Sequence, residues 1–349
     1  MTIRLSICIA TFNRGKFIGE TLESIIEQAN EETEIVILDG GSSDNTEQAV
    51  RYYQERASYL RYVRQDKNNG VDRDFNTAVE LARGKYCWLM SDDDLLKPNA
   101  IAEVLGTLRQ EFSLVVVNSE LMTSDFSNML DYNRMRLSSN RAYLPDQFES
   151  LFEEQSAYLT YIGAVVINRE LWLNRDKHSY FGSNFIHVGV IFQAKLPQGA
   201  IALSTPLIRI RFGNTQWRPR EFEIRMIRWT DLIWGLPTIS DEVKKRCYPR
   251  EPWRSVKSLM FYRAKGTYSW TEYRRWVGPR LTRVFDKAKA IGIALFPGVI
   301  ANAIGLVYCS LDYRDSNIHL LDMKISRFHW RRLSILAHFR PSDSPHDSI

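Results

Sequence analysis

A chain of 349 residues with ordinary apolar content and no low-complexity tract fits one large or two ordinary folded domains. Its four cysteines (Cys8, Cys87, Cys247 and Cys309) form no CxxC pair, which argues against a zinc or disulfide framework and for a reducing compartment. The net charge of +5 hides an asymmetry: residues 1–204 hold 20 Lys and Arg against 28 Asp and Glu, while residues 205–349 hold 26 against 13, so the two parts meet different partners.

The opening "MTIRLSICIATFN" has too short an apolar run for a secretory signal and reads as a first strand. Ile18, Leu22, Ile25, Ile26 and Ala29 then recur at helical spacing. "EIVILD" is a second strand, followed by the turn "GGSS" and by Asp44 and Glu47, spaced as a capping box. "LRYVRQ" is a third. Val71, Phe75, Ala78, Val79 and Ala82 share one helical face that Gly84 ends, "KYCWLM" is a fourth strand, Pro98 opens a helix, and "SLVVVN" is a fifth strand. This alternation predicts an α/β fold, a mostly parallel sheet with helices on both faces. Between 145 and 215 a helix is expected near "QFESLFEEQ", a strand at "YIGAVVIN", a helix near "IHVGVIFQAKL" and a strand at "IALSTPLIRIRF". From 216 on, basic, tryptophan-rich helices follow.

Open sheets of this kind bind ligands at the carboxyl ends of their strands. Those ends carry Thr11 and Asn13, then Asp39, Gly40 and Gly41, then Gln65 and Asp66, then Asp92, Asp93 and Asp94. Three adjacent carboxylates at a buried strand end require a cation, and Mg²⁺ or Mn²⁺ takes such oxygen ligands together with substrate phosphates; the bland alternative is an acidic cluster before the next helix. Asp39 can accept from a nucleobase N–H, with Gly41 leaving room for a flat ring. Thr11 and Asn13 serve either a base or ribose or the capping of the first helix. Arg73 is either a pyrophosphate contact or a solvated surface charge.

The stretches "SICIATFNRGKFIGETLESI", "EIVILDGGSSDNT" and "NNGVDRDFNTAVELARGKYCWLMSDDDLLKP" together resemble the nucleotide-sugar half of family-2 glycosyltransferases with the GT-A fold, over about the first 100 residues. "YIGAVVINRELW" and "FIHVGVIFQ" further resemble the abequosyltransferase-like branch, associated with dideoxyhexose transfer in bacterial O-antigen assembly. The resemblance implies a metal-dependent enzyme moving a sugar from a nucleotide-diphosphate donor to a saccharide acceptor. Thr11, Asn13, Asp39, Gly41, Arg73 and Asp92 would hold the donor, and Asp92, Asp93 and Asp94 a Mn²⁺ or Mg²⁺ ion. It also implies residues 1–120 as the nucleotide-sugar half and 121–215 as the acceptor half; charge and composition read 216–340 as a basic helical, membrane-associating region and 341–349 as a disordered tail.

Inverting members of the family usually present a Glu-Asp pair on a helix of the second half; this sequence has "GSNFIHVGVIF" there instead. His187 is the nearest ionisable group, as base, as metal or phosphate contact, or as a satisfied structural histidine. Asp176 is the other candidate base, or a surface-loop residue. The segment 290–311 has no charge across 22 residues, and Gly292, Pro297 and Gly298 interrupt it. It reads as a membrane-interface or re-entrant element, a span, or a buried hairpin. Its cationic flanks suit an anionic membrane surface, with no nucleic acid as partner. The expected setting is the cytoplasmic face of the bacterial inner membrane, with the acceptor on a lipid diphosphate. A sugar nucleotidyltransferase would need a glycine-rich loop after strand one, which "TFNRGKF" does not supply, and a nonenzymatic scaffold would leave the three aspartates a liability.

Overall fold

Continuous apolar runs mark strands covered on both faces, and in this chain such runs build the middle of one large sheet. The computed structural model describes residues 2–311 and 316–330; the expected tail at 341–349 lies outside them. The chain forms two compact units, the first of residues 1–121, 133–211 and 236–243, the second of 122–132, 212–235 and the described residues from 244 on.

The strands are β1 (Leu5–Thr11), β2 (Thr33–Asp39), β3 (Leu60–Arg64), β4 (Tyr86–Met90), β5 (Leu95–Leu96), β6 (Leu114–Thr123), β7 (Met129–Asp131), β8 (Arg141–Tyr143), β9 (Val165–Asn168) and β10 (Ala200–Phe212). The sheet runs β3-β2-β1-β4-β9-β6-β10-β5, with β8 added on β10. β1 to β4 are parallel, as the alternation predicts, and β9 is inserted antiparallel between β4 and β6. β2 and β4 are buried at every position, which explains why their sequences do not alternate. The register sets Thr11 beside Asp39, and Asp39 beside Arg64, at one edge. The expected polar rim is therefore level.

Helices α1 (Ile18–Ile26), α2 (Thr46–Gln54), α3 (Val71–Leu81), α4 (Ala100–Leu108), α5 (Phe148–Gln155), α6 (Arg169–Asn174) and α7 (Ile186–Phe192) complete this unit. α1 turns Ile18, Leu22 and Ile25 inward, where they join Ile7, Ile9, Trp88 and Val104 in one core.

The second unit is helical. Its core gathers Phe222, Trp253, Tyr268, Val277 and Ile293, and a smaller cluster gathers Ala264, Leu306, Leu320 and Met323. Helix Gly298–Leu311 packs against Val256–Lys265 and Ser316–Lys324. Buried Asn302 fixes that arrangement, its amide donating to the Ala264 and Met323 carbonyls at 3.1 and 2.9 Å. Lys265, 5% exposed, is held between Glu221 and Asp322, the latter at 2.8 Å.

Candidate functional site

The loops after β1 and β2 are laced to each other before any ligand arrives. Asp39 is fully buried, and its Oδ1 accepts from the Ser42 N–H and hydroxyl at 2.8 and 2.7 Å. Its Oδ2 accepts from the Tyr62 hydroxyl at 2.6 Å, and burial together with that carboxylate pushes the phenol pKa up. The Ser42 hydroxyl in turn accepts from the Asn13 N–H, and the Asn13 side chain accepts from the Ser43 N–H, both at 2.8 Å. Asn13 sits at φ +54, a left-handed conformation that asparagine tolerates better than most residues. Gly41 has φ +80, and a Cβ there would lie 3.0 Å from the Gln65 carbonyl, so a side chain is excluded on two counts.

The aspartates that follow β4 divide into two groups. Asp92 accepts from Arg14 Nε at 3.2 Å, and Asp93 pairs with another nitrogen of the same guanidinium while also accepting from the Ser91 hydroxyl. Arg14 is 8% exposed and lies 4.8 Å from the Phe17 ring centroid. Asp94 points elsewhere. It accepts from the Tyr161 hydroxyl at 2.7 Å and the Arg211 N–H at 2.8 Å, tying the loop after β4 to the segment before β9 and to β10. Burial, reinforced by the charge of Asp93, raises the Asp94 pKa well above the usual carboxylate range. Asp92 is pushed up to about 6 by burial and then by Asp93, with Arg14 pulling the other way. Thr11 Oγ1 is buried without a hydrogen bond of normal geometry, yet lies near enough to Asp92 to favour its ionised form.

One positive charge beside the triplet is thus Arg14, which the sequence reading passed over; a second is buried Arg211, whose Nε donates to the Asp93 backbone carbonyl at 2.9 Å. The signal was available: Arg14 directly follows Asn13 on the loop after β1, and β1 is the neighbour of β4. Among the described residues no group of three or more His, Cys, Asp or Glu side chains converges as a metal cage. Asp92 and Asp93 nevertheless fit a divalent cation, because they already share one positive charge and metals of this class need few protein carboxylates.

The remaining candidates lie apart from this cluster in character. Arg73 is exposed on α3, stacked 4.3 Å over the Phe181 ring. His187 is 1% exposed on α7, its Nε2 2.7 Å from the Leu159 carbonyl and its Nδ1 without a partner; burial pulls its pKa down to about 4. That geometry suits a packed neutral ring. Asp176 is exposed and accepts from the His178 N–H at 2.8 Å, and bonding from Ser179 lowers its pKa, which weakens it as a base. A second residue the sequence reading missed is Asp72. Buried in the first turn of α3, it accepts from the Gly182, Asn184 and Ile186 N–H groups at 2.8, 2.9 and 3.1 Å and so anchors the loop into α7.

The family model for glycosyl transferase family 2 matches residues 6–175, which include Thr11, Asn13, Arg14, Asp39, Gly41 and Asp92 to Asp94 but not Asp176, His187 or Arg211. Abequosyltransferase RfbV of Salmonella typhimurium is 26% identical over 265 residues, 72% of this chain and 79% of that protein. Among solved structures, S. aureus TarS 1–349 in complex with UDP-GlcNAc matches 97% of this chain and 93% of its own, with TM-score 0.59 at 13% identity. Mannosyltransferase PcManGT of Pyrobaculum calidifontis, solved with GDP-Man and Mn²⁺, matches 93% and 87%, with TM-score 0.53 at 16% identity. These likenesses show a shared fold. Residues 6–175 thus match glycosyl transferase family 2, the chain is similar over most of its length to an abequosyltransferase, and these matches support a glycosyltransferase of the GT-A fold.

Proposed function

We propose that the enzyme moves a sugar, a deoxyhexose in the reading favoured by its relatedness to an abequosyltransferase, from a nucleotide-diphosphate donor to a lipid-linked saccharide in bacterial surface polysaccharide assembly, such as O-antigen. The reaction takes place at the cytoplasmic face of the inner membrane. One observation carries the donor side: Asp92 and Asp93 share the buried Arg14 guanidinium beside the laced loops of β1 and β2. Asp39 is a fixed acceptor. Three donors occupy it, and a carboxylate offers about four lone-pair positions, so one is left for a base N–H. Thr11 and Asn13 border the same space, and Gly41 lets the loop after β2 pack closely against the backbone of Gln65 and Lys67. Arg14 neutralises the two carboxylates until the donor's diphosphate arrives, and its fork geometry matches phosphate oxygens.

Held by Asp92 and Asp93, a Mn²⁺ or Mg²⁺ ion would supply Lewis-acid stabilisation of the charge developing on the departing diphosphate. Asp94 holds the strand ends in place through Tyr161 and the Arg211 backbone, and His187 packs α7. The Mn²⁺ in the mannosyltransferase structure supports the metal reading, and the UDP-GlcNAc in the TarS structure supports a nucleotide-sugar donor. The test is thermal shift with Mn²⁺ and each of UDP, CDP, GDP and dTDP. At a hundredfold excess over Kd, binding stabilises by about 2.7 kcal/mol, a shift of a few degrees. One nucleotide should stand out, and a flat response to all four overturns the reading.

A further inference from the structure

The second unit carries a surface that its own fold does not explain. Helices Val284–Leu295 and Gly298–Leu311 meet at an elbow of 93° around Phe296 and Pro297. The second helix carries no charged residue on any face. Its inner side, Ala301, Asn302, Leu306 and Cys309, is buried. Its outer side presents Val299 (47% exposed), Ile300 (50%), Ile304 (52%), Val307 (51%), Tyr308 (48%) and Leu311 (78%). The first helix adds Val284 (82%), Phe285 (74%) and Leu295 (64%). A helix packed on one side and apolar on the other is not a solvated surface helix.

Charge selects the occupant. The first helix and its N-terminal approach carry Arg280, Arg283, Lys287 and Lys289 against a single carboxylate of their own, Asp286, with Arg280 paired to Asp231 at 3.3 Å. Asp286 is neutralised internally, by Arg254 at 2.5 Å and Lys289 at 2.8 Å. Among the described residues Arg283 and Lys287 make no ion pair, and Lys257 reaches across to the Tyr308 hydroxyl at 2.8 Å. An apolar face rimmed by cations matches the interface of an anionic bilayer, where acyl chains lie beneath negative headgroups. A second copy of the chain would instead bring like charges together. Neither helix alone is long enough to cross: at 12 and 14 residues they are about 18 and about 21 Å long, against about 30 Å of hydrocarbon, and the 93° elbow turns the pair away from a straight span.

We propose that this elbow is a monotopic membrane-docking element, with its outer face in the headgroup–acyl boundary of an anionic bilayer. It deepens the membrane setting proposed above but needs neither donor nor acceptor, so the two readings fail separately. The test is co-sedimentation of the full chain with vesicles of phosphatidylcholine alone and with about 30% phosphatidylglycerol. The full chain should bind the anionic vesicles and bind the neutral ones about tenfold more weakly. Ile304→Asp with Val307→Asp should reduce anionic binding about tenfold or more, and Arg283→Glu with Lys287→Glu should remove the lipid-charge dependence. All four side chains lie outside the core, and unchanged thermal melts confirm folding. A parallel measurement of molar mass reads the alternative. Failure of the full chain to bind anionic vesicles, unchanged binding by Ile304→Asp with Val307→Asp, or a dimer that this pair dissociates each overturns the proposal.

Discussion

Two buried cations, one in each unit, are each held by two carboxylates, and they serve opposite ends. Arg14 meets Asp92 and Asp93 on loops at the end of the sheet, where the Asp92 side chain keeps 13% exposure and its proton affinity is raised. Lys265 meets Glu221 and Asp322 among helices, with all three side chains at 10% exposure or less. The first arrangement lies on loops, at the site proposed above for the donor. The second closes on itself. A buried ion cluster therefore reads as function when it sits where the scaffold ends and as a lock when the scaffold surrounds it.

The comparison breaks first at Lys265. Lys265→Met strands two buried carboxylates and should cost about 3 to 5 kcal/mol by urea unfolding, while Lys265→Met with Glu221→Leu and Asp322→Leu should recover most of it. If the single change is mild, the cluster is not a lock.

Next is the pH response of His187. Its folded pKa of about 4 lies below the unfolded value near 6.5, so the unfolded state binds the proton first. Stability is full above about 6.5 and falls as pH drops towards about 4, by on the order of 3 kcal/mol. His187→Gln should flatten that part of the urea-midpoint profile, with turnover per folded molecule retained.

At the rim, Asp93→Asn should lower transfer by about a hundredfold, or about 2.7 kcal/mol in the barrier, with the melting temperature nearly unchanged. A stability loss matching that of Lys265→Met would erase the contrast between the clusters. The smallest effect is expected for Asp72→Asn, about 1 to 2 kcal/mol, seen as faster amide exchange at Gly182, Asn184 and Ile186.

What the sequence disclosed follows the distance over which each feature is written. β1 to β4 and the aspartate triplet are contiguous runs, so apolar pattern and charge identify them directly. Lys265 is separated from Glu221 by 44 positions and from Asp322 by 57, and no local pattern joins them. Arg14 lies between: it is next to Asn13 in sequence, but only the pairing of β1 with β4 brings it to Asp92. Asp94 shows the limit of motif reading, since three identical neighbours take two directions and the backbone decides which. Asp72 reads locally as ordinary helix-start acid, and only the fold supplies the three N–H groups it holds.

The chain of bonds from Asp39 through Ser42 and Asn13 to Ser43 has a kinetic consequence. Loops that are already fastened lose little conformational freedom when a donor enters, so capture needs no slow ordering step. Nucleotide association should then follow a single exponential whose rate rises linearly with concentration, with no plateau from a preceding rearrangement. Ser42→Ala removes the hydroxyl that joins both loops, and a hyperbolic concentration dependence should appear in that variant alone.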